Sequence, residues 1–169
     1  MIRYLIFLVF LVSLSYSSNA QLLRVKSAKS VDYFQGFNPK GFESSIGYGY
    51  SFSNSFRLKT GLSIGKHNMT FSSFNRIQPY FSVYYNFYRF NEVLFFDAFG
   101  SFKVGFQSGY NNVFGGHSNF YVGERIGINA EYIIYHFLTA GVFFSQDFYQ
   151  LNDINSKSFS LGFFISYNF

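Results

Sequence analysis

The sequence predicts an all-β protein, an eight-stranded antiparallel up-and-down transmembrane β-barrel of the outer-membrane type, spanning residues 21–169. Three observations carry that expectation. The last twelve residues, Ser158 to Phe169, alternate between an apolar and a small polar face at all but one position. Aromatic residues make up a quarter of the chain, and turn-forming residues recur between segments of period two.

In the final segment Phe159, Leu161, Phe163, Ile165, Tyr167 and Phe169 share one face of an extended strand. Ser158, Ser160, Gly162, Ser166 and Asn168 share the other, with Phe164 as the single exception. Side chains alternate across a strand, so one wall is greasy and the other small and polar. A last strand of this kind closed by an aromatic residue has the form of a barrel-insertion signal. Phe163, Ile165, Tyr167 and Phe169 are therefore expected to face lipid and to be read by the barrel-assembly machinery.

The aromatic load supports the same solvent. Twenty-seven Phe and fifteen Tyr, with no Trp and 12% charged residues, exceed what a small soluble domain can hide. A barrel in outer-membrane lipid has an outer wall and two interfacial girdles for them. No Cys is present, so disulfides are excluded.

Residues 1–20 read as a secretory signal peptide. Arg3 gives a short positive start, Tyr4 to Leu14 an apolar run, and Ser17-Ser18-Asn19-Ala20 small residues before a cut ahead of Gln21. A spanning helix needs about twenty apolar residues, more than this run supplies. Without the leader, 12 basic and 8 acidic residues remain, a net charge of +4 with no Lys/Arg run. Direct nucleic-acid binding, which calls for a clustered patch, is not expected.

The strands are expected in order at about Val25–Phe34, Phe42–Phe52, Phe56–Lys66, Ile77–Tyr88, Val93–Gln107, Phe120–Tyr132, Phe137–Tyr149 and Ser158–Phe169. The first carries Lys26, Lys29 and Asp32 and has the weakest pattern. The second sets Phe42, Ile46, Tyr48, Tyr50 and Phe52 against Glu43, Ser45, Gly47, Gly49 and Ser51. Pro79, with no backbone donor, is expected to mark a ragged start to the fourth. Glu124 falls on the apolar face of the sixth, where a charge is tolerable near an interface. The seventh is apolar on both faces, so its orientation stays open, as does the turn between Tyr132 and His136.

Connectors near Ser53–Ser55, Arg89–Glu92 and His136 are short. Gly36–Gly41, His67–Asn75, Ser108–Asn119 and Leu151–Lys157 read as longer loops. In outer-membrane barrels the longer loops are extracellular and the short turns periplasmic, which places both termini in the periplasm of a Gram-negative envelope.

Eight strands enclose a space just wide enough for side chains to fill. Glu43, Arg57, Lys59, Asp97, Lys103, Arg125 and Glu131 are expected inside as a charge network, mixed in sign. A plug of mutually neutralising pairs is favoured over a polar path for a solute.

Catalytic, cofactor-binding and metal residues are not expected. His67 with Ser72 and Ser73, and His117 with Ser118, raise a lipid-modifying enzyme as an alternative, but no spacing shows an oriented base. Gly61-Leu62-Ser63-Ile64-Gly65 matches G-x-S-x-G on a strand, without the strand–turn–helix elbow that gives the motif meaning.

Several stretches in sequence order carry a resemblance. They are Gly36-Phe37-Asn38-Pro39-Lys40, Gln78 to Phe87 ending Tyr84-Tyr85-Asn86-Phe87, Val122-Gly123-Glu124-Arg125 on to Glu131, and Ser156-Lys157-Ser158-Phe159. From about Asp32 to Phe169 the chain resembles the TraO family of conjugal-transfer proteins of conjugative transposons. The seventh strand, around Phe143-Phe144-Ser145-Gln146-Asp147, is less charged than that family's pattern. The resemblance implies an envelope component of a DNA-transfer apparatus, with other conjugal-transfer proteins as partners and no catalytic residues. A general small outer-membrane barrel with an adhesive or envelope-stabilising role is the alternative.

Overall fold

The computed structural model describes residues 26–69, 72–111, 115–151 and 154–169, so the leader expected at 1–20 lies outside the described residues. The strands are β1 (Lys29–Asn38), β2 (Gly41–Ser51), β3 (Phe56–Met69), β4 (Ser72–Phe90), β5 (Leu94–Asn111), β6 (Gly115–Tyr135), β7 (Leu138–Leu151) and β8 (Ile154–Asn168). Each pairs antiparallel with its neighbours in the chain, and β1 pairs with β8 to close the barrel. Closure leaves no strand edge, so the ladders consume backbone polar groups that hydrocarbon could not satisfy.

The start of β1 and the end of β8 meet where the barrel closes. Lys29 N donates to Phe169 O (3.2 Å) and Phe169 N to Lys29 O (3.0 Å). The three short turns lie at this same end. The Ser53 hydroxyl accepts from the backbone of Phe56 at 3.0 Å, a local bond that closes the first. Asn91 and Glu92 both take positive φ (48° and 56°) in the three-residue connection Asn91–Val93, where Val93 N donates to Phe90 O at 3.3 Å. The third turn, open in the sequence, is His136-Phe137 between Tyr135 and Leu138. Bulges near Phe87 and Ile134 lie beside the last two turns.

At the opposite end the expected long loops are largely strand. His67–Met69 and Ser72–Asn75 continue the β3–β4 ladder, and Ser108–Asn111 pairs with Gly115–Ser118. Gly36, Phe37 and Asn38 belong to β1, and Pro39-Lys40 alone makes the turn, with Asn38 Oδ1 accepting from Lys40 N at 2.9 Å. A hairpin ladder can continue into water without an apolar face, which is why loss of alternation did not end these strands. Pro79 stands well inside β4 rather than at its start. The ladder to β5 lapses at Gln78 and Pro79 and resumes in the same register at Tyr80.

The alternation places the faces as expected. Outside are Phe81, Val83 and Tyr85 of β4, Ile126 and Ile128 of β6, and Phe159 to Phe169 at odd positions of β8. On β7, Val142 and Phe144 face out while Phe143 and Tyr149 are buried inside, which resolves the strand the sequence left ambiguous. Glu124 is exposed on the outer wall in one cross-strand row with Phe148 and Lys157.

Candidate functional site

The lumen is built in layers, each made by inward positions of several strands. At the turn end Arg57 lies between two acids, 2.7 Å from Glu131 and 3.4 Å from Asp97. Thr139 donates to Glu131 (2.8 Å) and Asn86 to Asp97 (2.9 Å), so neutral donors hold the carboxylates in place.

Above this layer, Lys59 pairs with Asp32 at 2.9 Å. Its ammonium lies 4.8 Å from the ring centre of Phe34, 4.9 Å from Tyr84 and 5.4 Å from Phe164. The negative ring faces and one carboxylate replace the water that burial removed. Asp32 is held in turn by the hydroxyls of Ser30 and Ser166.

These rings belong to an aromatic layer of Phe34, Tyr84, Phe99, Phe143 and Phe164. Phe34 stacks on Phe164 at 5.2 Å and Tyr84 on Phe99 at 5.1 Å. The small inward residues of the sequence pattern make room for the rings. A Cβ at Gly162 would collide with the Phe143 ring, and one at Gly141 with Phe164.

Next comes a four-membered ion cluster. Glu43 meets Lys103 at 2.6 Å and Arg125 at 3.0 Å. Arg125 also binds Asp147, which lies 4.0 Å from Lys103 and accepts from Ser160 at 2.6 Å. At the hairpin end Arg76 lies 4.5 Å from the ring centre of Tyr149 and 5.2 Å from Tyr121, and donates to Gln107 at 2.9 Å.

Five cations thus face five carboxylates among the described lumen residues, and their formal charges cancel. Removing ions from water is costly, and pairing with added hydrogen bonds offsets that cost. A void of about 20 Å³ remains between Glu43, Ser45, Tyr80 and the aromatic layer, the size of one water molecule. A second void of about 10 Å³ lies beside Ser51, Arg57, Tyr84 and Asp97, so at these levels the described lumen residues fill the cross-section.

All seven residues expected in the charge network lie in the lumen, in two separate groups and the Lys59 pair. Sequence reading missed three partners. Asp32 lies on the weakest strand pattern, Asp147 on the ambiguous β7, and Arg76 just before the expected start of β4. Once the face of each strand is known, alternation finds all three.

Phe163, Ile165, Tyr167 and Phe169, the expected assembly signal, are all exposed on the outer wall. The side chains of Ser72, Ser73, His117 and Ser118 lie outside the described residues. His67 faces inward and is buried, and Ser63 of the G-x-S-x-G match is sealed inside β3.

No family model matches the chain, and neither does any curated protein sequence. Its fold is similar to three solved bacterial barrels. The N-terminal β-barrel domain of Pseudomonas aeruginosa OprF matches with a TM-score of 0.64 at 13% identity, over 85% of this chain and 98% of that one. Ail, the attachment invasion locus protein of Yersinia pestis, matches at 0.56 and 11%, over 86% and 100%. Neisserial surface protein A matches at 0.55 and 13%, over 84% and 95%. The chain is a closed eight-stranded antiparallel barrel of the outer-membrane type.

Proposed function

We propose that this barrel is a non-enzymatic, non-conducting component of a Gram-negative outer membrane. On this reading its turn end and both termini face the periplasm, and its tall hairpins face outward. The filled lumen supports it above all: an aromatic layer lies between charge groups that neutralise one another. The lumen then serves stability, and interaction falls to the projecting β3–β4 and β5–β6 hairpins, in an adhesive or envelope-stabilising role. Phe163, Ile165, Tyr167 and Phe169 serve as the strand that the assembly machinery reads. The full mature chain in planar lipid bilayers should produce no ion conductance above that of protein-free membranes. Stable unitary currents would overturn the reading.

The finer reading, an envelope component of a conjugative DNA-transfer apparatus, is supported by the resemblance carried from Gly36 to Phe159. Deleting the gene from a transferring element should then abolish or sharply reduce transfer frequency, with restoration by the intact gene. Undiminished transfer would leave the general envelope role.

A further inference from the structure

The lumen charges cancel in sum but not in place. Arg57 has Asp97 and Glu131, Lys59 has Asp32, and Lys103 and Arg125 share Glu43 and Asp147. Among the described residues Arg76 has no carboxylate within ion-pair distance, and its one hydrogen bond runs from Nε to Gln107 at 2.9 Å. The residue is 5% exposed, and Nη2 is buried without a hydrogen-bond partner. Its guanidinium carbon stands over the rings of Tyr149 and Tyr121, which offset part of the charge. They supply no acceptor to the Nη donors, since the Tyr121 hydroxyl is engaged with Gln78. A guanidinium stays charged and has no orientation that hides its donors. A buried cation left in that condition calls for an anion.

A second donor lies beside it. Phe74, which pairs with His67 of β3, is two residues before Arg76 on β4, so His67 and Arg76 are diagonal neighbours on the inward face. Long side chains at diagonal positions reach one another. His67 is 2% exposed, and its Nε2 is also buried without a partner. The strongest charge acting on His67 is Arg76, followed by Lys40, with Asp147 weaker. Lys40 stands at the tip of the β1–β2 hairpin, next to Gly41, which pairs with His67. Gly65 pairs with Arg76. Both of these partners are glycines, which add no side chain to the space around the two donors.

We propose that Arg76 and His67, with Lys40 at the rim, form a binding site for a small oxyanion of the phosphate or sulfate class at the hairpin end of the lumen. The Nη edge of Arg76 and an N–H of His67 donate to its oxygens, and Lys40 adds attraction from the mouth. A planar guanidinium fork matches oxyanion geometry, and Gln107 with the two tyrosines holds that fork in place. The site faces the lumen and not the lipid: Lys66 and Ile77, next in the chain to His67 and Arg76, are the exposed residues on the outer wall. Its ligand is therefore a dissolved anion and not a lipid headgroup. The site needs only a closed barrel, so it stands or falls apart from the envelope role proposed above.

The full mature chain, folded in maltoside micelles that carry no phosphate, is titrated calorimetrically with inorganic phosphate at constant ionic strength, and separately with sulfate. Saturable binding of one anion per barrel is expected, and phosphate should raise the urea midpoint by linkage. Arg76→Gln should weaken phosphate binding about tenfold or more, as loss of charge-assisted hydrogen bonds implies, and remove the urea shift. Lys66→Gln removes a charge of the same sign from the outer wall and should leave binding unchanged. Unaltered heat-shifted gel mobility shows that each variant still forms the barrel. Should Arg76→Gln fail that check, His67→Ala removes the second donor and should weaken binding several-fold. Phosphatidic acid added to the micelles should not compete with dissolved phosphate; competition would assign the site to a lipid headgroup and overturn the proposal. So would the absence of saturable binding by the folded wild-type barrel, unchanged binding in a folded Arg76 or His67 variant, or an equal loss with Lys66→Gln.

Discussion

Phe163 and Phe164 are adjacent, chemically identical and in different solvents. Phe163 is 44% exposed on the outer wall, beside Phe37 at 6.5 Å between ring centres. Phe164 is 0% exposed, stacked on Phe34, with its ring over Gly141 and the Lys59 ammonium nearby. On the wall a side chain needs only to be apolar, because lipid adapts to its shape. In the lumen it must also fit, because the neighbours are fixed strands and buried ions. Hydrophobicity selects the first residue and shape complementarity the second.

Three substitutions at this pair break or sharpen the contrast. The largest loss is expected for Phe164→Ala, which opens a cavity in the aromatic layer and uncovers the Lys59–Asp32 pair. It should lower the unfolding free energy by about 3–5 kcal/mol, read from urea unfolding of the barrel in lipid. Phe163→Arg comes next, since an arginine on the lipid face costs about 2–4 kcal/mol at mid-bilayer and should cut outer-membrane yield. Wild-type yield for that variant would mean the outer wall does not stand in lipid. Phe163→Ala should be the mildest, because lipid closes over the shortened side chain. If it destabilises the barrel as much as Phe164→Ala, the two faces do not differ as described.

The same contrast explains how far sequence reading reached. Outer-wall residues were legible because lipid imposes one rule, apolar at every second position, and that rule is local. It located eight strands and the inward faces of β2 to β6 and β8, and with them the seven charged lumen residues from Glu43 to Glu131. It failed on β7 because the lumen is itself aromatic at that level. With Phe143 inside and Phe144 outside, the polarity contrast that reveals a face vanishes. It failed at the hairpin end because the β3–β4 and β5–β6 ladders run on through His67, Ser108 and Asn119, where apolar residues no longer recur at every second position.

By itself the sequence determined that this chain is a barrel of period-two strands with a greasy wall and a charged interior, since both follow from neighbours one or two residues apart. Only the closed tertiary structure decided which charges meet. Arg57 and Glu131 are 74 residues apart, and Arg125 and Glu43 are 82 apart. No local pattern encodes those encounters. They depend on the register of eight successive ladders and on the closure of β1 against β8, which bring distant inward positions to the same height in one narrow lumen.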